Sequence, residues 1–181
     1  MRLLALDLGT RTGFAYGSTE ADWPEKIGTW DLGNQDPKVD REINWTRRCV
    51  ELRQLMEHET DLFRGGKAMM GKGGLGYTQL REGIWRPELI AFENGFHRGP
   101  ATEFFGGLRW TVRMFAYHAE CSFTSAMPSS IKKHLTGKGG SKKPAMRIAA
   151  HEKWGDKIIP FSHDEIDAVA LWFLIKEECD G

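Results

Sequence analysis

The chain has 181 residues, of which 40% are hydrophobic and 28% charged, an ordinary balance for one soluble domain built around a single core. Its 25 basic and 25 acidic residues cancel, which excludes a uniformly basic surface and shifts the question to how charge is distributed. Cys49, Cys121 and Cys179 are too scattered for a disulfide framework or a zinc spacing, and no run nears the ~20 apolar residues that span a membrane.

Residues 2–8 read as a buried strand that ends in Asp7. The apolar run from Leu3 to Leu6 is too short for a signal peptide and meets Asp7 at once, so the expected compartment is the cytoplasm, with reduced thiols. Gly9 and Gly13 bracket a tight turn, Phe14-Ala15-Tyr16-Gly17 begins a second strand, and Ile27 to Leu32 holds a third. A helix follows from about Asp40 to His58, with Trp45, Cys49, Leu52 and Met56 on one face. Residues 64–83 contain seven glycines and no apolar period, and read as a flexible loop. Arg64, Lys67, Lys72, Arg81 and Arg86 make that region a possible second contact surface. Leu89-Ile90-Ala91-Phe92 is a short buried strand ending at Glu93.

Pro100 suits the first turn of a helix whose stripe is Ala101, Phe104, Phe105, Leu108, Val112, Phe115 and Ala116. A strand at 120–126 precedes a short helix opened by Pro128-Ser129-Ser130 and running through Leu135. A glycine-lysine loop at 137–143 and helices near 144–154 and 163–178 complete the chain. Strands first, then strands alternating with helices, predict an α/β fold with one mixed sheet flanked by helices.

Asp7 and Glu93 end buried strands, at the sheet edge where α/β proteins bind ligands. Asp164 and Asp167, three apart, share one face of the last helix. Four gathered carboxylates repel one another and call for protonation or a metal, and hard oxygen donors suit magnesium or manganese. Two such ions about 3.5–4 Å apart can clamp a phosphodiester for hydrolysis. Duller roles compete: Asp7 as a turn residue, Glu93 as surface, and Asp164 as a helix-dipole acid inside a Ser162/Glu165 capping box. Between Lys132 and Arg147 lie six basic residues and no acid: Lys132, Lys133, Lys138, Lys142, Lys143 and Arg147. With Gly137, Gly139 and Gly140 they can approach phosphates closely.

Asp7-Leu8-Gly9-Thr10 with Thr12-Gly13, then Glu93-Asn94-Gly95-Phe96, then Asp164-Glu165-Ile166-Asp167-Ala168-Val169-Ala170, resemble in order the motifs of the RuvC family of Holliday-junction resolvases. The resemblance spans nearly the whole chain and implies a single ribonuclease-H-like domain over residues 1–181. It implies metal binding by Asp7, Glu93, Asp164 and Asp167, Mg2+ with Mn2+ as a substitute, and two ions per site. It also implies DNA contact by Lys132 and Lys143, an aromatic DNA contact at Phe96, paired nicking of four-way junctions or other branched DNA, and a homodimer. The helix near 101–116 is the expected dimer surface, because Phe104, Phe105, Phe115 and Trp110 exceed what one core face needs. Two departures stand out: the interval from Asp7 to Glu93 is longer than in the bacterial enzymes, and His163 adjoins Asp164, where some relatives place a metal-site histidine. They fit a divergent relative of the kind phages encode. Two other classes compete. A non-catalytic module binding branched nucleic acid would not need all four acids. An actin-like or sugar-kinase ATPase shares the opening Asp-x-Gly-Thr but needs a second lobe that this length leaves little room for.

Overall fold

Leu3 to Leu6 form an uninterrupted apolar run, so a strand there must be covered on both faces. In the computed structural model, which describes residues 1–33, 37–60, 87–95, 99 and 101–180, this run lies in the central strand of a sheet and all four residues are fully buried. The strands are β1 (Arg2–Asp7), β2 (Arg11–Ser18), β3 (Lys26–Asp31), β4 (Leu89–Glu93) and β5 (Ser122–Ala126). They pair in the order β3-β2-β1-β4-β5. The first three form an antiparallel meander, and β4 and β5 add parallel to β1. The helices are α1 (Arg41–Glu59), α2 (Ala101–His118), α3 (Pro128–Thr136), α4 (Lys143–Trp154) and α5 (His163–Asp180), with a 3-10 turn at Gly155–Ile158. The mixed α/β sheet flanked by helices is the one expected from the sequence.

Strand alternation divides the core in two. Leu3, Ala5, Ala15 and Ala91 face α3, α4 and α5, where they meet Ile131, Met146, Ile166, Val169 and Trp172. Leu4, Leu6, Tyr16, Ile90 and Phe92 face α1 and α2, where they meet Leu52, Met56, Leu108, Val112 and Phe115. Helix α5 is apolar on nearly every side and correspondingly buried. It begins with a reciprocal capping box: the Ser162 amide donates to Glu165 Oε2 at 2.6 Å, and the Glu165 amide donates to Ser162 Oγ at 3.3 Å. Helix α1 starts at Asp40, whose side chain accepts from the Glu42 amide at 2.7 Å. No helix among the described residues is long and apolar enough to cross a membrane.

Three sequence expectations change. Strand β2 begins at Arg11, so Gly13 lies inside the strand opposite Asp7 and does not flank the turn. The turn is Leu8-Gly9-Thr10, closed because the buried Thr12 hydroxyl donates to the Gly9 carbonyl at 3.0 Å. Strand β5 starts two residues late, because Glu120 has a positive φ of 53° that ends the α2 segment. The expected stripe of α1 is present and wider than expected, with Trp45 and Cys49 partly buried against the core. Leu52 and Met56 are fully buried, but Asn44 and Arg48 are buried with them, and the Arg48 guanidinium donates to the Gly33 carbonyl at 3.2 Å.

Candidate active site

Parallel pairing of β1 with β4 matches Leu3 to Leu89 and Leu6 to Phe92, and one further step sets Asp7 beside Glu93. Both acids share the strand phase of Leu3, Ala5 and Ala91, so both belong to the sheet face covered by α5. Each strand end is fixed from behind. The Thr12 staple holds the turn after Asp7, and the Leu32 amide donates to the Thr10 carbonyl at 2.9 Å. Beyond Glu93, the Asn94 amide donates to the Ala126 carbonyl at 2.8 Å, and Arg109 on α2 donates to the Gly95 carbonyl at 3.0 Å.

The first turn of α5 brings Asp164 and Asp167 to the same place. Burial pushes Asp7 well above the ordinary carboxylate range, and the charges of Asp167, Glu93 and Asp164 add to the effect against the opposing pull of Lys143. Burial also raises Glu93, with Asp167 adding to it and Lys132 and Lys143 opposing. Asp167 is raised by burial and by Asp164, against Lys143, Lys132 and His163. Asp7 therefore feels the charges of the other three acids, Glu93 feels that of Asp167, and Asp167 feels that of Asp164. Lys143 Nζ lies 3.7 Å from Asp164 Oδ1.

The basic segment separates into distinct parts. Lys132 on α3 and Lys143 at the start of α4 come to the acids. Lys133, Lys138 and Lys142 are exposed along the same segment. Between the two helices the loop is internally bonded: the Thr136 hydroxyl lies 2.7 Å from Ser141 Oγ, and the Lys138 amide donates to Thr136 Oγ1 at 3.2 Å. Gly137 takes the left-handed conformation that ends α3, with φ of 76°. Arg147 leaves the group of phosphate candidates. Its guanidinium donates to the carbonyls of Phe161 at 2.8 Å and Ile159 at 2.9 Å, and so holds the approach to α5. His163 opens α5 and acts electrostatically on Asp167.

Sequence reasoning missed Thr12, Arg109 and the role of Gly13. For Gly13 the available signal was a glycine inside a strand pattern, which marks a close backbone approach. Phe96 and the 64–83 loop with its basic residues, Arg86 included, lie outside the described residues, as does Pro100. The expected surface helix is also revised: Phe104 and Phe115 are core, whereas Trp110 is 62% exposed.

The donor chemistry of the four acids fits a hard divalent cation, since partly buried carboxylates that repel one another are stabilised by added positive charge. Their side chains do not converge on one point: among the described residues, no three His, Cys, Asp or Glu are arranged to hold an ion.

A five-stranded mixed sheet ordered β3-β2-β1-β4-β5 and flanked by helices is a ribonuclease-H-like α/β fold. Within that class the chain has a RuvC-like fold. It superposes on the Thermus thermophilus RuvC structure with a TM-score of 0.60 at 15% identity, covering 99% of this chain and 97% of that one. It also superposes on T. thermophilus RuvC in complex with Holliday junction substrate, with a TM-score of 0.59 at 18% identity over 96% and 92% of the two chains. No protein-family model matches the sequence. No curated protein matches it by sequence.

The electrostatics predict the effect of removing one acid. A carboxylate whose folded value is raised contributes its full stability below its unfolded value of about 3.9, and that stability is lost as pH rises through the folded value. Asp7→Asn removes this loss. In chelator at pH 7.5 the variant is expected to melt above the wild type, each kcal/mol of relieved repulsion being worth about 2–4 °C in a chain of this size. The gap should close as pH falls toward about 4. Circular dichroism melts across this range check the expectation, and a gap independent of pH contradicts it.

Proposed function

We propose that the protein is a divalent-metal-dependent endodeoxyribonuclease that resolves four-way DNA junctions, or other branched DNA, by paired nicking. The observation that carries this reading is the gathering of Asp7, Glu93, Asp164 and Asp167 from β1, β4 and α5 at one sheet edge, with Lys132 and Lys143 beside them. One of the similar solved structures is a RuvC in complex with Holliday junction substrate, which supports DNA of that kind as the ligand.

The four acids would hold two Mg2+ ions, for which Mn2+ can substitute. Bound there, the ions supply charge that activates water and stabilises the leaving oxygen of a phosphodiester. The chain's own residues do the rest. Asp7 and Glu93 are backed by the sheet, so their carboxylates are held by rigid elements. Lys132 and Lys143 offset the acids, and in this reading they bind phosphates of the DNA. Lys133, Lys138 and Lys142 extend the cationic surface for the DNA arms. Phe96 follows the anchored Gly95 by one residue and is assigned to stack on a base unpaired at the junction centre. A binding module without catalysis fits less well, because it has no need of four acids gathered at one sheet edge.

Two matched nicks in a two-fold junction call for two equal sites, and hence a homodimer. The surface for it is the outer side of α1 and α2. There Trp110 borders a groove of about 310 Å³ lined by Trp45, Cys49, Phe104 and Gly107, with Ile43 and Val50 exposed nearby on α1.

Three measurements test this reading. With Mg2+ the protein should cut a four-way junction in preference to a linear duplex, and a Y-fork comparison defines its range. Chelator or Asp7→Asn should abolish cleavage while junction binding survives, and full activity in either case rules the mechanism out. Changing Lys132 or Lys143 to Ala should weaken binding and reduce the log–log salt slope by about 0.9 per lost contact on duplex arms. An unchanged slope would return that lysine to ordinary surface. Trp110→Glu should convert a dimer at micromolar concentration into a monomer by sedimentation. A wild type that is monomeric with and without junction DNA contradicts the dimer.

A further inference from the structure

Gly13 lies in β2 opposite Asp7, on the sheet face that α5 covers. A Cβ added there would run into the backbone carbonyl of Asp164 and come within 3.0 Å of the Glu165 amide nitrogen. No flexible side chain can give way, since both neighbours are backbone atoms of the α5 first turn. That turn is otherwise pinned. The Ser162–Glu165 box fixes its start, the Thr29 hydroxyl on β3 lies 3.5 Å from Ser162 Oγ, and Arg147 holds the two carbonyls ahead of it. The missing side chain at position 13 therefore sets how near α5 comes to the strand end that carries Asp7.

Resting on the nuclease reading above, we infer that Gly13 is a positioning residue for the acid site: the bare backbone at the β2–α5 seam lets the turn that carries Asp164 and Asp167 come close to the strand ends that carry Asp7 and Glu93, the approach that shared binding of a divalent cation requires. Gly17 provides a matched control. It shares the strand and the face, and its Cβ would also meet backbone, the Glu25 amide nitrogen at 2.8 Å, but at the far end of β2 from the acids. Both substitutions press backbone against backbone, and only the one at Gly13 displaces the acid-bearing turn.

The experiment is calorimetric titration with MnCl2 alone, on wild type, Gly13→Ala and Gly17→Ala, beside melting curves and junction binding in chelator. Supporting partners of a metal site typically change affinity by about 10–100-fold, and Gly13→Ala is expected to weaken Mn2+ binding by about 10-fold or more. It should still bind the junction. Gly17→Ala is expected to lower the melting temperature and keep wild-type Mn2+ affinity. Unchanged affinity in Gly13→Ala, or equal weakening in Gly17→Ala, overturns the inference while leaving the nuclease reading intact. A wild type that takes up no Mn2+ is a different result and removes the four-acid site itself. If Gly13→Ala does not fold, Thr29→Val takes its place at the same seam. It removes only the hydroxyl contact to Ser162, and a smaller weakening in the same direction is expected. No weakening there overturns the inference equally.

Discussion

The contact between α5 and the sheet beneath it is the constraint on which the site depends. Two of the four acids stand on strand ends and two on a helix, so they can act together only if helix and sheet pack closely. Many residues along that contact are small, Ala5 on β1, Gly13 and Ala15 on β2, Ala91 on β4, and Ala168 and Ala170 on α5 itself, and they lie beside the larger Leu3, Ile166 and Val169. Further along the helix, Trp172 and Ile175 fill the space between α5 and its neighbours. Core packing and site geometry are thus tied together in one interface.

That closeness has an electrostatic cost. Burial and mutual repulsion raise Asp7, Glu93 and Asp167, which disfavours the charged form of each in the folded state. Such an arrangement lowers stability at neutral pH and is characteristic of a functional site. The chain offsets part of it with Lys132 and Lys143, drawn from two helices that precede α5. Under the proposed function the same two ammonium groups would also bind the phosphates of the DNA.

The chain shares a RuvC-like fold at only 15–18% identity, and such a fold asks little of individual residues. Its sheet needs apolar runs covered on both faces, and many sequences supply them. A shared fold does not by itself carry a shared activity. The functional proposal rests instead on where this chain puts its own carboxylates and lysines.

Much of this was determined by sequence alone. An apolar run ending in Asp7, a second ending in Glu93, and a capping box opening an apolar helix with Asp164 and Asp167 are local patterns, set by strand and helix periods and by cap chemistry. They were enough to give the mixed sheet and the order of its elements, and to single out the four acids as candidates. What the sequence left open was decided by contacts between segments far apart in the chain. Periodicity marks a face as apolar but does not say whether a second layer covers it, so Phe104 and Phe115 went to the core while Trp110 on the same helix stayed exposed. Charge marks Arg147 as cationic, but only the fold brings the carbonyls of Ile159 and Phe161 within its reach and removes it from the DNA surface. A glycine at position 13 is as permissible in a turn as in a strand. Only the register of β2 against β1, and the arrival of the α5 backbone where a Cβ would stand, decide that it belongs to the sheet and lies against the acid-bearing turn.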